Sequence, residues 1–285
     1  MPYFLICTFL FGMSILSYSA KPIVVADSLF TNGQFFEAAI EYERQFYFAS
    51  DLQTKSQCRF GKALCYKAMG DFKSSKKELL KVNIYGLNEN NKKEFIYETA
   101  LISYLDEDYL LCERTFLQLN FQEYDSIQQQ NLLLIGTLNN IMLQKFEKSE
   151  ELAKAFVKQH NQDSLFLEQQ LNALHKLYSK RNLPRLKSEK AFDWINIAPG
   201  FGQIYVGKVG EGFMNIGLNL AAFSFGAFQF LNGYYFTGYF VGALSINKFY
   251  FGGRTRAKNL MLEVNNARLV DYNTKIKNQL VQLKP

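Results

Sequence analysis

The sequence predicts an all-α chain: an α-solenoid of 37-residue period, a C-terminal two-helix transmembrane hairpin and an amphipathic tail helix. Three observations carry this prediction. A small–aromatic–small pattern returns four times at a fixed interval between residues 26 and 153. Two apolar stretches almost without charge come next, separated by Asn232-Gly233. Residues 255–285 then revert to a mixed, basic pattern with Leu262, Leu269, Ile276 and Leu283 at seven-residue spacing.

The repeats come first. In NGQFFEAAIEYER, MGDFKSSKKELLK, DEDYLLCERTFLQ and LQKFEKSEELAKA the second residue falls at 33, 70, 107 and 144, a constant step of 37. An aromatic stands two residues on each time: Phe35, Phe72, Tyr109 and Phe146. Three further comes a small residue, Ala38, Ser75, Cys112 or Ser149, and seven before the register point another, Ala26, Ala63, Ala100 or Thr137. We read each copy as two antiparallel helices. The small residues mark where the backbones approach, and the aromatics fill the gap to the next pair. One such pair cannot bury its apolar face alone, so copies stack. Turn signals at 49–51, 86–90 and 161–163 fall between the helices.

KALCYKAMGDFKSS, residues 62–75, resembles the tetratricopeptide repeat family in its small first-helix residue and its Gly-Asp-aromatic turn. The resemblance covers about 23–180, including a capping helix near 164–181. It departs in a period three residues longer than that family's ~34 and in the missing turn glycine of copies three and four. It implies a concave face that binds an extended peptide or a partner's helix. The periodic aromatics themselves read as core.

Ahead of the repeats, MPYFLICTFLFGMSILSYSAKP has an apolar run too short for a comfortable span and small residues before a cut after Ser19. Residues 1–19 are read as an export signal peptide, although no Lys or Arg precedes the run. An uncleaved anchor is the alternative. The repeat domain is then 20–181.

Composition excludes several function classes. The net charge of +6 is spread along the chain, whereas nucleic-acid binders concentrate Lys and Arg on one face. With no CxxC pair and only two His, zinc ligation has no ligand set. Cys58 and Cys65 lie about 10 Å apart along one helix, beyond disulfide reach; with Cys7 and Cys112 they read as small hydrophobes. No catalytic, cofactor or metal residues are expected, and neither nucleic acid nor a small-molecule substrate.

After a polar linker, 182–194, comes APGFGQIYVGKVGEG. It is not a phosphate loop. Lys208 is followed by Val209 where the nucleotide-binding loop needs Ser or Thr, and Tyr205 stands where a dinucleotide fingerprint needs its last glycine. The residues beyond it are lipid-like. Phe213–Leu231 has no charge, and Tyr234–Phe251 matches its length if Lys248 snorkels to the headgroups. The predicted seam of this hairpin, within 195–252, puts Asn215, Asn219, Ala222 and Gly226 against Gly238, Gly242 and Ser245, with Asn219 near Ser245. PGFGQIYVGKVGEGFMNIGL resembles the family of small two-transmembrane-helix hairpin domains, with Gln203-Ile204-Tyr205 replacing that family's more usual His-containing version. Pro199, Gly200, Gly202, Gln203, Tyr205 and Gly207 are thereby read as an interfacial turn. Exported repeats followed by this motif resemble bacterial envelope proteins.

Topology pulls two ways. Lys187, Lys190, Lys208, Arg254, Arg256 and Lys258 all flank the hairpin on the repeat side, which the positive-inside rule places in the cytoplasm. An export signal places that side outside. We take export, with the hairpin in a bacterial inner membrane and the repeats in the periplasm; cytoplasmic repeats are the alternative. The tail, 253–285, carries Asn266 and Asn273 where a coiled coil needs apolar residues, so docking on the repeats or the membrane surface is expected rather than a zipper. The function expected is a non-enzymatic, membrane-tethered scaffold that binds a protein partner. The alternative is an accessory membrane subunit of a transporter or insertion machinery.

Overall fold

The computed structural model describes residues 23–160 and 164–282, and every regular element in them is helical. The proposed export segment, Cys7, the 161–163 turn and Leu283 lie outside the described residues. The chain divides into two compact units, through Leu119 and from Asn120.

The first unit comprises α1 (Ile23–Thr31), α2 (Phe35–Phe48), α3 (Leu52–Ala68), α4 (Phe72–Leu79), α5 (Glu89–Leu105) and α6 (Tyr109–Phe116), each packed on the next. Short polar side chains set the helix starts. Asp51, Asp71, Asn88 and Asp108 each accept a hydrogen bond from the backbone N–H three residues on. Left-handed backbone closes the tight turns inside the pairs: Gly33 and Gly70 adopt it without penalty, and Glu107 adopts it at φ 59°.

The small residues sit at the helix crossings. Ala26, Ala38, Ala63, Ser75, Ala100 and Cys112 are all fully buried. Ser75 Oγ donates to the Ala63 carbonyl at 2.6 Å, so the side chain of one helix bonds the backbone of the other at that crossing. Phe35 packs edge-on against Phe30, and Phe60 against Phe95.

The second unit begins with α7 (Ser126–Met142), capped by a reciprocal Asp125–Gln128 box, and α8 (Phe146–His160). Here Ser149 Oγ donates to the Thr137 carbonyl at 2.9 Å, the counterpart of the Ser75–Ala63 bond, and Gln144 takes the left-handed turn position at φ 61°. The remaining elements are α9 (Ser164–Tyr178), α10 (Glu189–Ile195), α11 (Phe201–Tyr205), α12 (Val209–Leu231), the single turn α13 (Tyr235–Thr237), a π-helical turn Gly238–Ala243, and α14 (Leu244–Val281).

α14 runs unbroken for 38 residues, where a separate tail helix after residue 252 was expected. Its far half lies on α7 and α8. Leu269, Tyr272, Ile276 and Leu280 are buried there, and the Tyr272 ring stands edge-on to both Phe146 and Tyr178. Tyr272 also donates to the Leu177 carbonyl at 3.1 Å. The segment expected as a linker is strapped to the same helix: Asn265 accepts from Lys187 N–H at 2.7 Å and donates to its carbonyl at 3.0 Å. These attachments are why α7–α9 group with the C-terminal helices, rather than the chain dividing at 181.

Candidate functional site

Two glycine turns bring α11 and α12 onto the middle of α14. Gly200 and Gly207 hold φ of 81° and 92°, and a Cβ on Gly200 would overlap the Gly212 carbonyl. Gly202 leaves room for Asn196 and Ala257, Gly253 for Asn215. Across these bare surfaces three side-chain amides donate to one stretch of α14. Asn215 reaches the Phe249 carbonyl at 3.2 Å, Gln203 that of Gly253 at 2.9 Å, and Asn196 that of Arg254 at 3.1 Å. Tyr250 Oη returns a bond to the Ile197 carbonyl at 3.0 Å. At roughly 1 kcal/mol each, these bonds offset the roughly 1 kcal/mol that each of Gly252 and Gly253 costs a helix interior. α14 stays helical through both glycines, and Gly253 supplies the flat surface on which Asn215 packs. Beneath it, Phe192, Val206, Ala257, Leu260 and Met261 form a small core, with Tyr205 against Phe192 and Lys187 Nζ 4.5 Å from the Tyr205 ring centre. Pro199 and Phe201 face the other way, into an apolar hollow of about 320 Å³ with Ile216, Phe223 and Ile246.

Beyond the clamp, α12 and the π-turn meet glycine on glycine. A Cβ on Gly226 would sit 3.2 Å from the Gly242 Cα, and one on Gly242 would overlap Gly226. Gly238, Ala222 and Asn219 are buried along the same line. Asn219 turns its amide back to the Asn215 carbonyl at 2.8 Å, within its own helix; half-buried Ser245 forms no hydrogen bond with it. Asn219 Oδ1 is left buried and unpaired.

Outside that line the surface is apolar. Phe213, Met214, Leu220, Phe223, Phe228 and Leu231 on α12 are exposed, as are Phe236, Tyr239, Phe240, Val241 and Leu244 on the return. Large apolar side chains exposed along both segments in this way mark a protein or membrane contact surface rather than an ordinary water-facing one. Among the described residues one helix, Val209–Leu231, is long and apolar enough to cross a membrane. The second expected span is not one such helix, because the π-turn and α13 divide it before α14 begins.

The first unit carries a different surface. Phe36, Ile40, Tyr47 and Phe48 of α2, with Lys62 and Tyr66 of α3, line an open groove of about 560 Å³. Tyr47 is 81% exposed although the groove is apolar. Glu43 and Lys62 on its lining join an ion cluster: Glu43 meets Lys62 at 2.9 Å and Arg59 at 3.1 Å, and Glu78 meets Arg59 at 2.6 Å and Lys81 at 2.8 Å. Burial pushes the Glu78 carboxyl up, but Lys81, Arg59 and Lys62 together hold it below the usual carboxylate value. The thiols of Cys58, Cys65 and Cys112 are pushed up by burial to about 11, 12 and 12, so they stay protonated and unreactive.

No protein-family model, curated protein or solved structure matches this chain.

The molecule thus gathers Gly200, Gly202, Gln203 and Asn215 at the clamp, and Gly226, Gly238 and Gly242 at the glycine contact. It does not join Asn219 to Ser245. Asn196 and Gly253, both essential to the clamp, carry no signal in the sequence, since nothing local links residues more than fifty positions apart. The groove residues of α2 had a signal: Phe36, Ile40 and Tyr47 keep helical spacing on the side opposite Ala38 and Tyr42.

Proposed function

We propose that this chain is a non-enzymatic, membrane-tethered scaffold of the bacterial envelope. In this reading α12 and residues 234–251 form a two-helix membrane hairpin, and a tetratricopeptide-like solenoid presents a partner-binding surface. The observation that carries it is the apolar belt over residues 213–251, bare of charge between Glu211 and Lys248. At about 1.5 Å per residue the 23 residues of α12 reach about 35 Å, enough for ~30 Å of hydrocarbon. Asn232-Gly233 makes the turn, and the glycine contact supplies the close packing that helices in lipid need.

The partner surface is the α2–α3 groove, whose exposed aromatics over a rigid helix pair suit the apolar face of a partner's helix or an extended peptide. The repeats lie in the periplasm in this reading, on the strength of the apolar N-terminal run. Cytoplasmic repeats result if that segment is not an export signal.

A second reading has one observation in its favour. Asn219 Oδ1, unpaired within the helix contact, is what an accessory membrane subunit working through its hairpin would keep for a partner. Photo-crosslinkers at Tyr47 and at Asn219 in the full chain separate the two. Cross-links to one discrete protein from Tyr47 alone support the scaffold, whereas cross-links from Asn219 alone replace it with the accessory subunit.

A further inference from the structure

Where α12 and α14 emerge from the apolar belt, a notch of about 380 Å³ opens between them. Met214, Leu218 and Phe249 line its apolar side; Lys248, Arg256 and Glu211 supply its charges, with Gln203 and Asn215 on its wall. Gln203 is 2% exposed, and although its amide nitrogen serves the Gly253 carbonyl, its Oε1 is buried and unpaired. Arg256 bonds Glu211 at 3.2 and 3.3 Å and lies 3.9 Å from Glu263 on its other side. Lys248 forms no ion pair among the described residues. The lining charges therefore sum to one positive.

Gly252 sits between Lys248 and Arg256, one helical turn from each. A Cβ there would meet nothing within 4 Å, so packing inside the protein does not require this glycine, unlike Gly253 beside it. Its lack of a side chain keeps the notch open. The notch is also at the right depth, because Glu211 and Lys248 are the first charges on either side of the charge-free stretch.

We propose that this notch binds the headgroup of an anionic glycerophospholipid. Lys248 and Arg256 hold the phosphodiester, Glu211 accepts from a headgroup hydroxyl, and the acyl chains run along Met214, Leu218 and Phe249. The proposal rests on the membrane reading above. An unpaired cation at a bilayer surface is worth about 1 kcal/mol, which is about fivefold in affinity.

The test uses the full chain in phosphatidylcholine bilayers doped with spin-labelled phosphatidylglycerol or spin-labelled phosphatidylcholine, with selectivity read from the motionally restricted fraction. Selectivity of about fivefold for phosphatidylglycerol is expected, lost in Lys248→Gln and in Gly252→Leu. The second variant fills the notch and improves helix propensity, so its loss cannot be ascribed to unfolding. Equal restriction of the two lipids, or full selectivity in both variants, overturns the notch while leaving the membrane reading in place. Displacement by inorganic phosphate in the same assay overturns it in favour of a free-phosphate site. A chain that stays in the aqueous phase overturns the membrane reading, and the notch with it.

Discussion

Ser75 offers a direct probe of how the helix pairs are held. It is fully buried, and its Oγ donates to the Ala63 carbonyl at 2.6 Å. Ser75→Ala deletes one donor but leaves that carbonyl its own helical N–H, so the cost is that of one modest hydrogen bond, about 1 kcal/mol. Ser75→Leu loses the same bond and forces bulkier side-chain atoms into a closed crossing, which adds about 2 kcal/mol of overpacking. The expected order is therefore wild type, Ala, then Leu, with the last about 3 kcal/mol down. Cys112→Ser is the internal control. Cys112 occupies the equivalent place opposite Ala100, both fully buried, and a hydroxyl there can copy the Ser75 bond. That variant should lie within about 1 kcal/mol of wild type, well above Ser75→Leu. Denaturant unfolding monitored by circular dichroism reads all three. Ser75→Leu with the stability of wild type would refute the close crossing.

Other outcomes rest on the same kinds of contact. Glu107→Gly and Gln144→Gly relieve left-handed backbone at φ 59° and 61°, and each should stabilise by roughly 0.5–1 kcal/mol; a lower melting temperature in both would contradict that. Glu78 has a folded pKa held below its ordinary 4.5, so it stabilises above that value, and the contribution disappears as pH falls through the lower, folded-state pKa. Glu78→Gln should lower stability at neutral pH and flatten the acid limb of the stability–pH curve, whereas an unchanged limb would exclude Glu78 as its source. Gly242→Leu drives a side chain into Gly226, and in bilayers it should expose the 209–251 region to protease; protection equal to wild type would exclude the glycine contact.

Much of the helical plan was legible because its physics is local and repeated. The first residues of α2, α4, α6 and α8 are Phe35, Phe72, Tyr109 and Phe146, the aromatics of the 37-residue pattern. A required small residue leaves a mark at every copy, whereas the left-handed turn shows as glycine only in the first two, Gly33 and Gly70, and falls on Glu107 and Gln144 in the others. The caps Asp51, Asn88 and Asp125 recur at the same interval, a further signal of equal quality. The C-terminal half was harder to read. The boundary expected at 252/253 is not a helix end, because amides fifty or so residues upstream in Asn196 and Gln203 bond the Arg254 and Gly253 carbonyls where α14 runs on. Asn219 and Ser245 matched in sequence register, but an asparagine can satisfy its donor on its own helix, and Asn219 does so on Asn215.

The most direct test of the membrane tether is flotation of the full chain with liposomes through an alkaline carbonate wash, then protease digestion and mass mapping. Flotation with a protected fragment over about residues 209–251 is the expected result. A monodisperse chain in detergent-free buffer, cleaved freely between Phe213 and Phe251, would contradict it.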